Sequence, residues 1–447
     1  MRRSGIAFGG VCAVTTVLSP IAGTAQEGGV LLTFGIENRL ELAHNEALSV
    51  PAEGTDVANA TSLSFGLSSE TAIDRLSFLA SGAAIIENAA GGDSGTEFDF
   101  GRANASLEYR REVPSALLEL SASLRNDDIG SFEDLAADDE SGTQTDYSLS
   151  ARLETGRTAA LGLALGVEYL ATDYVDATDP DLVDTEEGRA DAALILRFSE
   201  VATGRIGARY SELREETPGT TVTETLVTYA GLDYAVSQRL DLSAEIGYAE
   251  IETEDFDVID RVTGPDLRLG ATYDLAVGTM SARLLVSTDE DDDRRETFEI
   301  GRDLETPRDT ISARLGVTRA DTTGTDLVGF LLWERALPDG SLAFELGRSV
   351  SFDDDDDGEI GSSTLSATWL KNISDISSIS LDITYEQSNS DVETIKQLTL
   401  EAGYTKRLTQ DWNLDTGVGY RIRDDADGQA RSPSVFVALS REFQIRP

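Results

Sequence analysis

The sequence predicts an all-β fold, a transmembrane antiparallel up-and-down β-barrel of about 22 strands. Apolar and polar residues alternate with a period of two, as when Leu398, Leu400 and Ala402 alternate with Thr399 and Glu401, and this period is typical of a strand with one face in each environment. Short turns alternate with longer acidic loops along the chain. Beyond the N-terminal segment, no stretch approaches the roughly 18 consecutive apolar residues of a membrane helix, so only a closed barrel could span a bilayer.

The first 25 residues are typical of a secretory signal, with Arg2 and Arg3 ahead of an uncharged, mostly apolar run, Ile6–Pro20, and small residues after it. We therefore expect residues 1–25 to be a signal peptide and residues 26–447 to be the barrel. The only cysteine, Cys12, lies in the apolar run. The mature chain is thus expected to have neither disulfides nor thiol chemistry.

The chain is strongly acidic, with a formal net charge of −46. Loss of Arg2 and Arg3 with the signal changes this value to −48. Nucleic acid is excluded as a partner, because binding to a polyanion requires clusters of basic residues. The acidic residues form short runs such as Asp289–Asp293 and Asp353–Asp357, and such runs usually mark solvated loops.

The elements follow one another in a regular order. Strands are predicted near Val30–His44, Ala60–Thr71 and Leu76–Glu87, joined by a polar loop at Asn45–Asn59 and a tight turn at Ala72–Asp74, with a loop at Gly91–Gly95 after the third strand. Further tight turns are predicted near Glu112–Ser115, Thr155–Arg157, Val201–Gly204, Ser237–Arg239, Ala276–Gly278, Thr306–Asp309, Ala336–Gly340, Asn372–Ser377 and Leu408–Asp411. Acidic loops are predicted near Asp127–Thr143, Thr172–Gly188, Glu215–Thr220, Glu252–Gly264, Asp289–Arg294, Ala320–Thr325, Asp353–Glu359, Gln387–Val392 and Asp424–Ala430.

The three tryptophans, Trp333, Trp369 and Trp412, each lie within a few residues of a predicted tight turn. In a barrel this places them at one rim, where an aromatic girdle meets the lipid headgroups. The less favoured alternative is that they are core residues that happen to lie beside turns. An array of β-sandwiches therefore remains the alternative fold, because a sandwich has the same alternation with its apolar faces turned inward.

Together, the signal segment, hairpin arms such as Leu240–Tyr248 and Leu398–Tyr404, and a last strand from Val435 to Phe443 resemble outer-membrane β-barrel porins of Gram-negative bacteria. The resemblance implies location in the cell outer membrane, contact with its lipid and lipopolysaccharide, and insertion by the barrel-assembly machinery, which reads a terminal aromatic residue. This chain departs from that pattern in two ways. Four residues follow Phe443, and Arg441 occupies a position that should be apolar.

The residues give little support for catalysis or a resident metal. His44 is the only histidine and has no repeated acidic partner in the sequence, so we expect neither an enzyme nor a zinc site. The run from Asp353 to Gly358 resembles the start of a calcium loop, but its twelfth position is Thr364 instead of a closing Glu. We expect no cofactor. Loose Ca²⁺ or Mg²⁺ association at Asp289–Asp293 and Asp353–Asp357 is a hypothesis, and solvated loop tips are the favoured interpretation.

Ionisable residues on the polar face are candidates for lining a pore, where charges of both signs would set an ion preference. Alternatively, they pair with one another and hold the wall together. The candidates are Glu119, Arg125, Arg205, Arg209, Asp241, Glu245, Arg283, Arg314, Glu345, Arg348, Asp382, Glu386, Glu401, Asp415 and Arg421.

Two functions are consistent with the pattern. The first is passive diffusion of small hydrophilic solutes or ions through an open lumen without a plug domain, because only Gln26–Gly29 precede the first strand. Acidic loops at the mouth, with Arg294 and Arg295 as a partial offset, would favour cations. The mouth loops are Asp138–Glu140, Asp289–Asp293, Asp353–Asp357 and Asp424-Asp425. The alternative is a structural barrel or one associated with exopolysaccharide export.

Overall fold

A computed structural model describes most of the chain beyond the predicted signal. The described residues are 29–52, 54–88, 96–129, 142–177, 182–216, 219–255, 258–290, 292–321, 324–353, 358–389, 394–426 and 428–446. Within these ranges, no helix is long and apolar enough to cross a membrane.

The described chain folds into 22 β-strands. They are β1 Gly29–His44, β2 Thr55–Glu70, β3 Asp74–Asn88, β4 Thr96–Val113, β5 Ala116–Asp128, β6 Thr143–Thr155, β7 Leu161–Val175, β8 Thr185–Arg197, β9 Ala202–Glu216, β10 Thr220–Ser237, β11 Leu240–Asp255, β12 Val258–Asp274, β13 Thr279–Thr288, β14 Arg294–Glu305, β15 Asp309–Ala320, β16 Gly324–Leu337, β17 Gly340–Asp353, β18 Gly358–Ser374, β19 Ser377–Asn389, β20 Thr394–Arg407, β21 Trp412–Asp424 and β22 Gln429–Ile445.

The strands form a single closed antiparallel sheet. Each strand pairs with the next along the chain, and the last pairs with the first from Leu32 opposite Ile445 to Ala43 opposite Ser434. Closure satisfies the backbone groups that an open edge would leave unpaired in lipid. The predicted 22-stranded up-and-down barrel is therefore confirmed, and the sandwich array is excluded.

The outer surface of the barrel is apolar. One face of nearly every strand carries large side chains that the protein itself leaves exposed, such as Leu63, Ile206, Ile246, Leu315 and Val418. A soluble protein rarely exposes apolar surface on this scale, whereas a barrel in lipid turns exactly such a band outward. The closed barrel with its apolar band confirms the predicted location in the outer membrane.

The connections differ at the two rims. At one rim, which we call the turn rim, every short connection overlaps its predicted turn, for example at Pro114-Ser115 and Leu408–Asp411. At the opposite rim, which we call the loop rim, several predicted loops are too long. The predicted loop Glu252–Gly264 is mostly strand, since β11 continues to Asp255 and β12 begins at Val258.

The strand extensions at the loop rim explain that difference. Glu212, Glu224, Glu252 and Arg261 lie on one rung across β9 to β12, on the outward face. Their position above the apolar band gives these strand ends a charged outward face, while the lumenal face carries Ile251 opposite Val262. The apolar-outward pattern of the band therefore ends although the ladder continues, and the charged residues give the segment the composition of a loop. The second strand begins at Thr55 instead of Ala60.

Arg441 occupies an outward position on β22, between the exposed Leu439 and Phe443. Its guanidinium lies 4.1 Å from the ring centroid of Phe443 and 5.4 Å from that of Trp412. It also reaches the carboxylate of Asp411 in the last turn, at 3.6 Å. An arginine at an interface can extend its charge toward water in this way, so the basic residue leaves the register of the final strand intact.

Candidate functional site

The lumenal face of the wall is the candidate site, because it is the polar surface that any solute crossing the barrel would meet. Strand pairing together with the exposed apolar positions identifies this face on every strand. Fourteen of the fifteen predicted lining residues share it, and their role in lining a pore remains a prediction. They are Glu119, Arg125, Arg205, Arg209, Asp241, Glu245, Arg283, Arg314, Glu345, Asp382, Glu386, Glu401, Asp415 and Arg421.

Arg348 is the exception and lies on the outward face. On β17, Glu345 and Gly347 face the lumen. Arg348 lies on the other side with Leu346, whose side chain is 45 % exposed. Its guanidinium donates to the carbonyl of Leu327 at 3.1 Å. The sequence prediction placed Glu345 and Arg348 on one face, which a spacing of three residues does not allow in a strand.

The three tryptophans lie on the outward face close to the turn rim. Trp333 pairs with Ile311 on the neighbouring strand, and its indole N–H donates to the carboxylate of Asp309 at 3.1 Å. Trp369 lies opposite Leu381, which is exposed with the apolar band. Indole rings with an apolar body and one polar contact suit a headgroup boundary, and we retain the aromatic girdle as a proposal.

Lumenal glycines let neighbouring side chains lie flat against the wall. The ring of Tyr229 lies over Gly207, the carboxylate of Asp191 lies over Gly166, and the ring of Phe436 lies over Gly417. A Cβ at any of these glycines would approach the covering side chain to under 3 Å. The glycines on the polar face of the sequence pattern therefore make room for large residues on the adjacent strand.

Ion pairs between adjacent strands tie much of the wall together. Arg205 contacts Asp233 at 2.7 Å, Arg283 contacts Glu299 at 2.6 Å, and Arg110 contacts Glu119 at 2.8 Å. These groups are partly exposed to the lumen. Each such pair contributes little to stability, about 0–1 kcal/mol. Their main effect is to fix where charge lies along the wall.

Arg209 is the most constrained of the predicted lumenal arginines that form ion pairs. Its guanidinium lies 4.1 Å from the ring centroid of Tyr229 and pairs with Glu245, a buried carboxylate. Arg268 approaches the same carboxylate at 3.9 Å and Asp266 at 3.3 Å. The cluster joins β9 to β12 and leaves these charges engaged with one another.

The wall near the closing strands has a different pattern. Asp382 and Glu401 lie directly opposite each other on β19 and β20. Asp415 accepts a hydrogen bond from the hydroxyl of Thr405 at 2.6 Å, and Arg421 donates to the carbonyl of Glu46 at 2.7 Å. This last contact brings the loop after β1 against the lumenal side of β21.

Sequence reasoning missed an apolar strip on the lumenal wall. Val328, Phe330 and Leu332 alternate with the outward residues Leu327 and Leu331 on β16. The lumenal identity of the strip follows from pairing, because Phe330 lies opposite the lumenal Arg314. Since both faces of this strand are apolar, a period of two carries no signal here, and only the register of the neighbouring strands reveals the strip.

The histidine and the acidic loops show no assembled chemistry. His44 is exposed at the end of β1, with its Nδ1 atom 3.2 Å from the hydroxyl of Thr55. Asp293 accepts the backbone N–H of Asp321 at 2.8 Å, and Asp289 accepts that of Asp293 at 2.8 Å. Within the described ranges, no group of three or more His, Cys, Asp or Glu side chains could hold a metal ion. The predicted mouth loop Asp138–Glu140 and residues 354–357 lie outside those ranges.

Solved structures with a similar fold are outer-membrane transporters and receptors. An iron transporter, FrpB of Neisseria meningitidis, has a TM-score of 0.60 and 8 % identity over 94 % of this chain and 83 % of its own. The copper transporter OprC has a TM-score of 0.57 and 12 % identity over 94 % and 81 %. The ferric-catecholate import receptor Fiu of E. coli has a TM-score of 0.57 and 10 % identity over 94 % and 82 %.

No protein-family model matches the chain, and no curated protein matches it by sequence. At these identities the solved structures show the shared barrel and not a shared substrate.

The comparison corrects the functions inferred from the sequence. The barrels that match over 94 % of the chain are described as metal transporters and siderophore receptors, not as porins. The interpretation as a cation-preferring passive diffusion channel is therefore wrong, and so is the alternative of a structural or exopolysaccharide-export barrel. Alternation shows which face of a strand is wet, but a wet lumen is common to all these classes. An outer-membrane barrel is supported, whereas membership of the porins is not.

Proposed function

We propose that this chain imports a small metal-containing solute across the outer membrane, with the lumenal wall as part of the path. The observation that carries the proposal is the whole-chain match to barrels described as iron transporters, copper transporters and siderophore receptors. The shared feature is a closed wall of 22 strands, a size that leaves a lumen much wider than its own side chains can fill.

The chemistry of the wall is consistent with a polar metal complex as cargo. Charges of both signs lie along the lumen in fixed positions, including Arg205 with Asp233 and Arg283 with Glu299. Exposed, paired charges can exchange partners with a passing solute at small cost, because each surface pair is worth only about 0–1 kcal/mol. A metal complex that carries charge could therefore move from one rung to another.

Outside the strands, the described residues form connections between consecutive strands. Barrels of this size often hold a plug in the lumen. The open lumen predicted from the sequence remains a prediction, and the proposal does not depend on it.

Uptake of labelled metal by cells tests the proposal. Gram-negative cells that produce the chain should accumulate radioactive iron or copper, supplied as a chelate at limiting concentration, several-fold faster than cells without it. Uptake should saturate as the unlabelled chelate is added. Equal rates in both strains for iron and copper, while the barrel is assembled in the outer membrane, would sink the proposal.

A further inference from the structure

The lumenal strip Val328, Phe330 and Leu332 places three large apolar side chains at successive lumenal positions of one strand. Apolar surface in contact with lumenal water is unfavourable in proportion to its area. A solute that covers the strip would recover that free energy. The strip is therefore a place where the wall favours contact with an apolar part of a solute.

A recess lies beside the ring of Phe330. Its partner across the pairing of β16 with β17 is Gly347, which also faces the lumen. A Cβ built on Gly347 would meet no atom within 4 Å. This glycine differs from Gly207 and Gly417, which lie beneath the side chains of neighbouring strands. The floor beside Phe330 is therefore open to a flat group.

On the other side of the ring lies Arg314. Its guanidinium is 5.1 Å from the ring centroid of Phe330, and its aliphatic stem lies near Gly301. Among the described residues it has no carboxylate partner, whereas Arg283 one rung away pairs with Glu299 at 2.6 Å. A guanidinium held over an aromatic ring and outside any ion pair is complementary to an anionic group on a planar solute.

We propose that Arg314, Phe330 and Gly347 form a subsite for a planar aromatic anion, such as an aromatic carboxylate carried by the transported solute. The aromatic part lies against Phe330 over the recess at Gly347, and the acidic group contacts the guanidinium of Arg314. This subsite rests on the proposed function, because it assumes that the solute passes through the lumen. It adds the class of chemical group on the solute that the wall contacts.

Binding of naphthoate to the purified full chain in lipid nanodiscs tests the subsite, with naphthalenemethanol as the uncharged probe and empty nanodiscs as blank. Saturation-transfer NMR should show that the chain binds both probes and binds naphthoate more tightly. Arg314→Gln should lower the affinity for naphthoate roughly three- to tenfold and leave the affinity for naphthalenemethanol unchanged. Phe330→Leu should lower the affinity for both probes roughly three- to tenfold. Gly347→Leu should abolish binding of both by filling the recess.

Two matched variants control for general effects on the wall. Arg110→Gln removes a lumenal arginine that is already paired with Glu119, and Phe436→Leu changes a lumenal phenylalanine that lies 3.8 Å from the guanidinium of Arg39. Both should bind the probes as the wild type does. Heat-modifiable migration on gels verifies that each variant forms a barrel.

The subsite is refuted if the wild type binds neither probe, or if the control variants lose affinity as much as Arg314→Gln and Phe330→Leu. These outcomes are separate from the fate of the proposed function. Metal uptake without naphthoate binding would reject the subsite and keep the import function. Naphthoate binding with the expected variant pattern, but without metal uptake, would reject import and keep the subsite.

Discussion

Replacement of Val437 by proline is expected to abolish the assembled barrel, whereas Val437→Leu should assemble normally. Val437 lies at the closing seam, opposite Leu40 on β1 and Thr416 on β21. Proline removes a backbone N–H from a ladder that is paired on both sides. In lipid, each backbone group left without a partner costs several kcal/mol.

The natural prolines within strands support this expectation. Pro433 in β22 lies opposite Tyr420, one residue beyond the last pair between β22 and β1 at Ser434. Pro265 in β12 lies opposite Tyr248, beyond the pairing of β12 with β13, which extends only to Leu267. Both prolines therefore occupy positions where one of the two neighbouring ladders has ended.

Electrophoretic migration before and after heating, together with the circular dichroism spectrum, measures the effect. The Val437→Pro protein should migrate as an unfolded chain without heating and should lose the β signal. A folded, heat-modifiable Val437→Pro barrel would mean that β22 does not close the sheet in the way described.

The second large effect concerns the face turned to lipid. Ile246→Arg is expected to lower the free energy of unfolding in lipid vesicles by about 2–4 kcal/mol, the cost of an arginine near the bilayer midplane. Ile246 is 67 % exposed on the outward face and lies opposite Ala230 and Leu267, in the apolar band.

Ser243→Arg on the same strand is the matched control. Ser243 faces the lumen opposite Asp233 and Gly270, so an arginine there meets water and a carboxylate. The free energy of unfolding of the Ser243→Arg variant should remain close to that of the wild type. Denaturant titration in vesicles measures both variants, and equal losses of stability would contradict the assignment of the two faces.

Much of the barrel was predictable from the sequence because a two-sided environment imposes a two-residue period. Strands such as β19 and β20 meet lipid on one side and water on the other, and their alternating residues show both faces directly. The turns were equally clear, since segments such as Leu408–Asp411 interrupt two alternating arms within a few residues.

The same reasoning failed where the two environments became alike. At the loop rim both faces of β11 and β12 lie outside the apolar band, so the outward Glu252 and Arg261 looked like loop residues although they are paired in a ladder. On β16 both faces are apolar, and Phe330 could not be assigned to the lumen without the register of β15. The contacts of Arg314 depend on that register as well, so the candidate subsite was invisible in the sequence.

The function could not be predicted from the sequence for a further reason. A wet, charged lumenal face has the same pattern whether solutes diffuse through it or are imported. The acidic runs in the predicted mouth loops pointed to a cation-preferring channel, although such runs say nothing about whether a solute diffuses or is imported. The similarity to metal transporters became apparent only from the closed fold.

Labelling of a single lumenal cysteine tests the central claim most directly, that the solute passes along the lumenal wall. Cys12, in the predicted signal, is the only cysteine of the chain, so Gly347→Cys introduces one reactive thiol into the lumen. Gly188→Cys is the matched outward variant, because Gly188 lies opposite the exposed Tyr169 and also has no atom within 4 Å of a built Cβ.

Metal uptake is measured in intact cells before and after complete reaction with a bulky polar thiol reagent. The reaction should stop most of the uptake by the Gly347→Cys variant and leave uptake by the Gly188→Cys variant unchanged. Unchanged uptake with the lumenal cysteine fully labelled, or an equal loss at both positions, would contradict a path along the lumenal wall.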